Sequence, residues 1–199
     1  QNIVGRDCAG ATGAEDRTVK VLHIDSLENS TVVRMEIPGF YLNEVNTPKG
    51  IANTITIPNS ANTASAGDPD LPMIGVSVIV DDHGKMAIRI IDAEYVHFDS
   101  IEVAPSKGDF PRSTDPATVS YHYGDPYMHD TFFPGKTVEL GKPYIIRDFR
   151  GQNIAFHPFL YNAVSKTLRV YYRMTVEVYK TDDKGINELM GCSDQFTIE

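Results

Sequence analysis

The chain has no tryptophan, only two cysteines among 199 residues, and more acidic than basic side chains. Nor does any apolar run approach the roughly 20 residues that cross a bilayer as a helix. Each scarcity excludes something. Without a long apolar run, membrane insertion is not expected. With 18 Lys and Arg against 27 Asp and Glu, a net charge of −9 repels nucleic acid and anionic lipid alike. Cys8 and Cys192 lie near opposite ends, in Gly-, Ser- and Asp-containing tails, which is no setting for a thiolate beside a general base. In an exported chain the two could pair and tie the termini together, but spacing does not decide connectivity. Serine nucleophile elbows and glycine-rich phosphate loops are missing too. A signal peptide is also absent, and the first residue is Gln1 rather than Met, as expected of a processed or trimmed chain.

Metal ligands are sparse and poorly spaced. His83 beside Asp81 and Asp82, and His122 with His129 near Asp125 and Asp130, supply ligand types but match no compact zinc motif. Turn aspartates usually bond their own backbone. Calcium on the carboxylates of "DDHGK" or "GDPD" stays open, because such a site needs only oxygen ligands. No other cofactor is implied.

Period-2 alternation in β-branched and aromatic residues is plentiful, whereas long helical periodicity is nearly absent. "TVKVLHI" (18–24) and "STVVRMEI" (30–37) alternate, and "GIANTITIP" (50–58) places Ile51, Ile55 and Ile57 on one face. "MIGVSVIV" (73–80) and "KMAIRIID" (85–92) flank "DDHG", which predicts a hairpin with Gly84 at positive φ. Further strands are expected in 94–104, 144–151, 153–161 and 166–180. Roughly ten to twelve short strands separated by turn signals predict an all-β fold, an antiparallel β-sandwich or jelly-roll-like single domain. The expected organisation is an N-terminal tail over 1–17, the sandwich over 18–180 and a C-terminal tail over 181–199.

Two stretches interrupt the strand rhythm, 59–72 and 105–135, and loops of this length inside a domain tend to be functional or disordered. In the second, Tyr121, Tyr123, Tyr127, Phe132 and Phe133 form either a sugar-binding strip or a set of loop anchors; without tryptophan the anchors are favoured. "GDFPRSTDP" (108–116) carries one arginine, Arg112. Pro111 restrains Phe110, and Pro116 restrains Asp115, towards extended backbone. A stiff, extended loop around a central arginine has the shape that a protease cleft accepts, although most loop arginines are merely solvated.

"IEVAPSKGDFPRSTDPATVSYHYG", "FFPGKTVELGKPYIIRDFRGQNIAFHPFLYN" and "SKTLRVYYRMTVEV", with the upstream "GDPDLPMI", resemble the N-terminal prodomain of the gingipains, the family C25 cysteine peptidases. The likeness is strongest to the arginine-specific members and covers roughly residues 30–180, leaving out both ends and both cysteines. It implies a zymogen propeptide: a β-sandwich that precedes the catalytic domain, assists its folding, keeps it latent and is removed by proteolysis after export. By the same resemblance, the loop with Phe110, Pro111, Arg112 and Ser113 is inhibitory, and Arg112 matches the arginine that enters the specificity pocket. Arg112 is then also a candidate cleavage site. The partner implied is the cognate peptidase catalytic domain, the chain itself has no peptidase activity, and the location is periplasmic to extracellular or cell-surface through the type IX route of Bacteroidetes. The alternative is a free-standing adhesion or carbohydrate-binding sandwich.

Overall fold

A computed structural model describes residues 2–5, 19–27, 30–63 and 65–189. Cys8 and Cys192 lie outside the described residues, and with them the possible disulfide. The fold is all-β: antiparallel sheets, with helix among the described residues limited to two short 3-10 turns at Pro116–Thr118 and Asp125–Met128. Among the described residues, no helix is long and apolar enough to cross a membrane.

Among the described residues, thirteen strands form three sheets. The first joins β1 (Asn2–Gly5), β4 (Gly39–Thr47) and β5 (Gly50–Thr56) in the order β1-β4-β5. The second is organised around β11 (Phe149–Phe156). One edge of β11 pairs with β7 (Pro72–Ile79), which in turn holds β6 (Ala61–Asn62); the other edge pairs with β10 (Tyr144–Ile146) and then β9 (Val138–Leu140). The third is organised in the same way around β13 (Thr167–Lys180). β8 (Met86–Phe98) runs along one edge of β13, while β12 (Phe159–Asn162) and β3 (Ser30–Glu36) share the other, and β2 (Lys20–Leu27) lies outside β3.

Alternation explains the core. On β13, Leu168, Val170, Met174, Val176 and Val178 are all buried, every one an even position. They join Val33 and Met35 of β3, Ile74 and Val78 of β7, Ile154 and Phe156 of β11, and Phe40, Leu42 and Ile55 of the first sheet in one cluster. Phe40 meets Phe98 and Phe159 edge-on, with centroids 5.6 and 5.2 Å away. The β8–β13 ladder slips twice, its register skipping Tyr172 in β13 and Ile91 in β8. Because the extra residues fall on opposite strands, the slips cancel and the inward parity of β13 survives.

Two sequence expectations change. "DDHG" is not a hairpin turn: β7 pairs with β11 and β8 with β13, so residues 81–85 cross between sheets. Gly84 does take positive φ, +82°, but turn chemistry says nothing about which strand the next one joins. Here the crossover is held by other segments, with Lys85 N–H donating to Asp183 O and Thr181 N–H to Lys85 O. Ile51 shares the face of Ile55 by register, yet 65% of it is exposed, because the β4–β5 hairpin projects past the core at that end.

Candidate functional site

The chain from Glu102 to Phe133 forms the long loop, and its base is sewn to the sheets by backbone hydrogen bonds. Asn53 N–H donates to Glu102 O (2.7 Å), and Ala104 N–H to Asn53 O (2.8 Å). Asp70 N–H reaches Ala104 O (3.0 Å), Ser106 N–H reaches Asp68 O (2.7 Å), and Gly67 N–H reaches Ser106 O (3.0 Å). Val103, Ala104, Pro105 and Ser106 are buried accordingly. Gly67 and Gly124 meet backbone to backbone: Gly124 N–H donates to Gly67 O at 2.8 Å, and a Cβ on Gly124 would fall 2.9 Å from that oxygen. No side chain fits at this crossing, which is why both positions are glycine.

The aromatic residues finish the base. Tyr127 Oη donates to Val103 O (3.0 Å), Tyr161 Oη to Ile101 O (3.1 Å), and Tyr123 Oη shares a 2.8 Å hydrogen bond with Thr47 Oγ1. Phe133 and Tyr161 exchange backbone hydrogen bonds. Burial pushes the Tyr161 phenol up to about 12 and the Tyr127 phenol further, so both stay neutral donors. The rings of Tyr123, Tyr127 and Phe133 are thus engaged in anchoring, and Phe132 stacks on His97 with a 6.1 Å centroid separation.

Past Gly108 the character changes. Asp109, Pro111, Arg112 and Ser113 are exposed, and Phe110 is half-buried. Thr114 N–H donates to Pro111 O at 2.8 Å, closing a turn with Arg112 and Ser113 at its centre. The tip is therefore turned, not extended as its prolines imply. Their constraint falls on the residue before each proline: Asp115 is indeed extended, with φ −67° and ψ 118°, but nothing restrains Arg112 itself. Among the described residues the Arg112 guanidinium has no hydrogen-bond or ion-pair partner.

The loop is closed by its own side chains. Lys107 Nζ donates to Pro116 O (2.8 Å) and lies 4.4 Å from the centre of the Tyr121 ring. Asp115 caps the Pro116–Thr118 turn by accepting Ala117 N–H at 2.9 Å, while Thr118 Oγ1 returns to Asp115 O at 2.7 Å. Gly108, at φ +76°, packs on Ala66, where a Cβ would fall 2.8 Å from the alanine methyl. Sequence reading missed Lys107 and Gly108. The available signals were the Ser-x-Gly step at 106–108, where Ser106 Oγ accepts Gly108 N–H at 3.1 Å, and the capping Asp-Pro step at 115–116.

The candidate metal positions resolve otherwise. Asp81 accepts His83 N–H and the Lys180 ammonium, which together hold its carboxyl below the usual range. Asp70 accepts Asn62 Nδ2 at 3.0 Å. Among the described residues, no group of three or more His, Cys, Asp or Glu is placed to hold an ion.

Comparison with known proteins places this arrangement. The family Propeptide_C25 matches residues 11–193. Gingipain R1 of Porphyromonas gingivalis is 37% identical over 174 residues, which is 87% of this chain and 18% of that protein. Gingipain R2 of the same organism is 32% identical over 173 residues, 87% of this chain and 24% of that protein. The chain therefore spans less than a quarter of the length of these relatives. Among solved structures, the complex of P. gingivalis RgpB pro- and mature domains superposes with a TM-score of 0.82 at 31% identity, covering 88% of this chain and 91% of that one. A structure bearing on the zymogenic latency of gingipain K from P. gingivalis shares the fold, with a TM-score of 0.72 at 17% identity and coverage of 90% and 98%.

A β-sandwich that presents one braced loop and shares its fold with a peptidase prodomain is a propeptide domain, the non-catalytic part of a zymogen. More particularly, the chain belongs to the Propeptide_C25 family, the propeptides of the gingipain-type cysteine peptidases.

Proposed function

We propose that the domain holds an arginine-specific C25 peptidase latent by placing Arg112 in its specificity pocket, and that it assists the folding of that enzyme. One observation carries the reading: Arg112 stands exposed at the tip of a loop whose neck is braced, its guanidinium unpartnered. A planar guanidinium suits a carboxylate at the base of a pocket, where it can bond bidentately. A pre-braced loop loses little entropy on docking. Phe110, half-buried beside the tip, is placed to pack on the cleft rim, with Pro111 and Ser113 as the flanking contacts. Relatives named gingipain R support the arginine preference. Export to the periplasm or cell surface belongs to the same reading.

Arg112 serves next as a cleavage site, and the Pro111–Thr114 turn orders the two events. A turned tip delivers the arginine side chain, whereas cutting the Arg112–Ser113 bond requires the turn to open. Occupancy therefore precedes cleavage.

The test is the inhibition constant of the domain, and of its Arg112→Ala variant, against the cognate mature peptidase. A charge-assisted hydrogen bond is worth about 1.5–3 kcal/mol, so inhibition should weaken by roughly ten-fold or more. Equal inhibition by both proteins rules out arginine insertion.

A further inference from the structure

We propose that the hairpin of β10 and β11, residues 144–151, is a second docking element that grips the mature peptidase domain a strand's length away from the base of the Arg112 loop. The proposal rests on the propeptide reading and extends it to a second surface.

The hairpin carries apolar side chains that the described residues leave largely exposed, with Arg147 and Asp148 at its tip. Register puts Ile146 opposite Phe149, and Tyr144 and Ile79 on either side of Gly151. Ile79, Ile146 and Phe149 are 64%, 59% and 58% exposed. The Tyr144 ring lies flat over Gly151, where a Cβ would fall 2.5 Å from it, so the ring joins these side chains into one smooth strip. Ile145 faces the other way, opposite Arg150. Arg150 is buried and donates to Ile186 O at 2.9 Å, and Ile186 is itself 57% exposed. β10 is an edge strand of three residues, and the sandwich core does not account for its side chains. A contiguous exposed apolar patch marks an interaction site.

Three features identify the mature domain as the occupant. A specific interface needs about 800 Å² per partner, and the exposed tip, residues 109–113, is too small to supply it alone. The chain after β13 is fastened to this hairpin: Asn187 Nδ2 donates to Pro143 O at 2.7 Å, beside the Arg150–Ile186 bond. The last described residues therefore lie beside the hairpin, and a domain tethered after them in a precursor meets the patch at high effective concentration. Finally, β7 separates the loop base from the hairpin by about 23 Å, at the usual rise per residue. A single domain-sized partner covers both at once.

The experiment is titration of the cognate mature peptidase with wild type, Arg112→Ala, and the double variant Ile146→Asp/Phe149→Asp. Thermal melts monitor folding, and Ile146→Thr/Phe149→Thr serves as a milder strand-compatible pair. The expected result is unchanged melting, inhibition weakened ten-fold or more by the hairpin variants, and losses that multiply when combined with Arg112→Ala, as for distant sites. Inhibition equal to wild type in folded hairpin variants overturns the second docking element and leaves the propeptide reading standing. A wild type that neither binds nor inhibits the peptidase overturns both. A wild-type dimer that the hairpin variants dissolve, with inhibition unchanged, assigns the patch to self-association and also overturns the proposal.

Discussion

Between Ser106 and Gly124 the chain makes two regions that differ in almost every physical respect. The neck is buried, glycine-tight and hydrogen-bonded to β5 and to the 67–70 segment, with Gly67 and Gly124 in backbone contact and Tyr127 fixed to Val103. The tip, residues 109–113, is exposed and closed only by its own Pro111–Thr114 bond. On the proposed function, stability resides in the neck and recognition in the tip. Substitutions in the two should accordingly separate in measurement: neck variants lower melting temperature and inhibition together, while tip variants lower inhibition alone.

The largest effect should come from Tyr127→Ala, which removes a mostly buried ring and the hydrogen bond to Val103. Large-to-small changes of this kind cost about 3 kcal/mol, equivalent to roughly 6–12 °C in a domain of this size. Inhibition should fall with it. Unchanged melting with lost inhibition would show that the neck is not structural, and the contrast would break. Gly124→Ala comes next, since the added methyl would crowd the Gly67 carbonyl. Overpacking costs about 1–3 kcal/mol, visible as a lower Tm. Arg112→Lys sharpens the other side. It keeps the charge but loses the planar fork, so it should inhibit less well than wild type and better than Arg112→Ala, at one common Tm.

The neck and the tip were not equally legible in the sequence. Alternation alone places Leu168, Val170, Met174, Val176 and Val178 inward, because a period of two survives any arrangement of strands. Pro116 makes Asp115 extended for a local steric reason, and the structure obeys. The motifs around "APSKG" and "FFPG" point to the family without any geometry. What escaped was non-local. Whether "DDHG" joins paired strands or crosses between sheets depends on β11 and β13, about 70 to 90 residues further on, competing for β7 and β8. The brace from Lys107 to Pro116 O exists only once the loop has closed. Ile51 alternates correctly yet lies beyond the core, since alternation gives the face and not the depth. The turn at Arg112 was missed because proline restrains its predecessor and leaves the intervening residues free.

Smaller perturbations probe how the two regions are joined. Lys107→Met removes the contact to Pro116 O at an exposed position, where such a bond contributes about 1 kcal/mol. Melting should barely change, and inhibition should weaken a few-fold through a looser tip. A Tm drop as large as that of Gly124→Ala would instead place Lys107 in the neck.

The smallest effect lies in the pH dependence of the neck itself. Burial raises the Asp70 carboxyl above the usual aspartate value, only partly opposed by the hydrogen bond from Asn62. The folded state therefore binds its proton more tightly than the unfolded chain does. Stability from this group is present below the ordinary aspartate pKa and is lost as pH rises through the raised folded value. Asp70→Asn keeps an acceptor for Asn62 and removes the charge. At neutral pH it should melt on the order of a degree higher than wild type, and the two should converge as pH falls to the ordinary aspartate range. The tip contains no part of this linkage, so inhibition corrected for folded fraction should be the same for both proteins at each pH. A variant that instead melts lower at neutral pH would mean that the Asp70 carboxylate holds the neck together through its charge, and the neck would then share the electrostatic character reserved here for the tip.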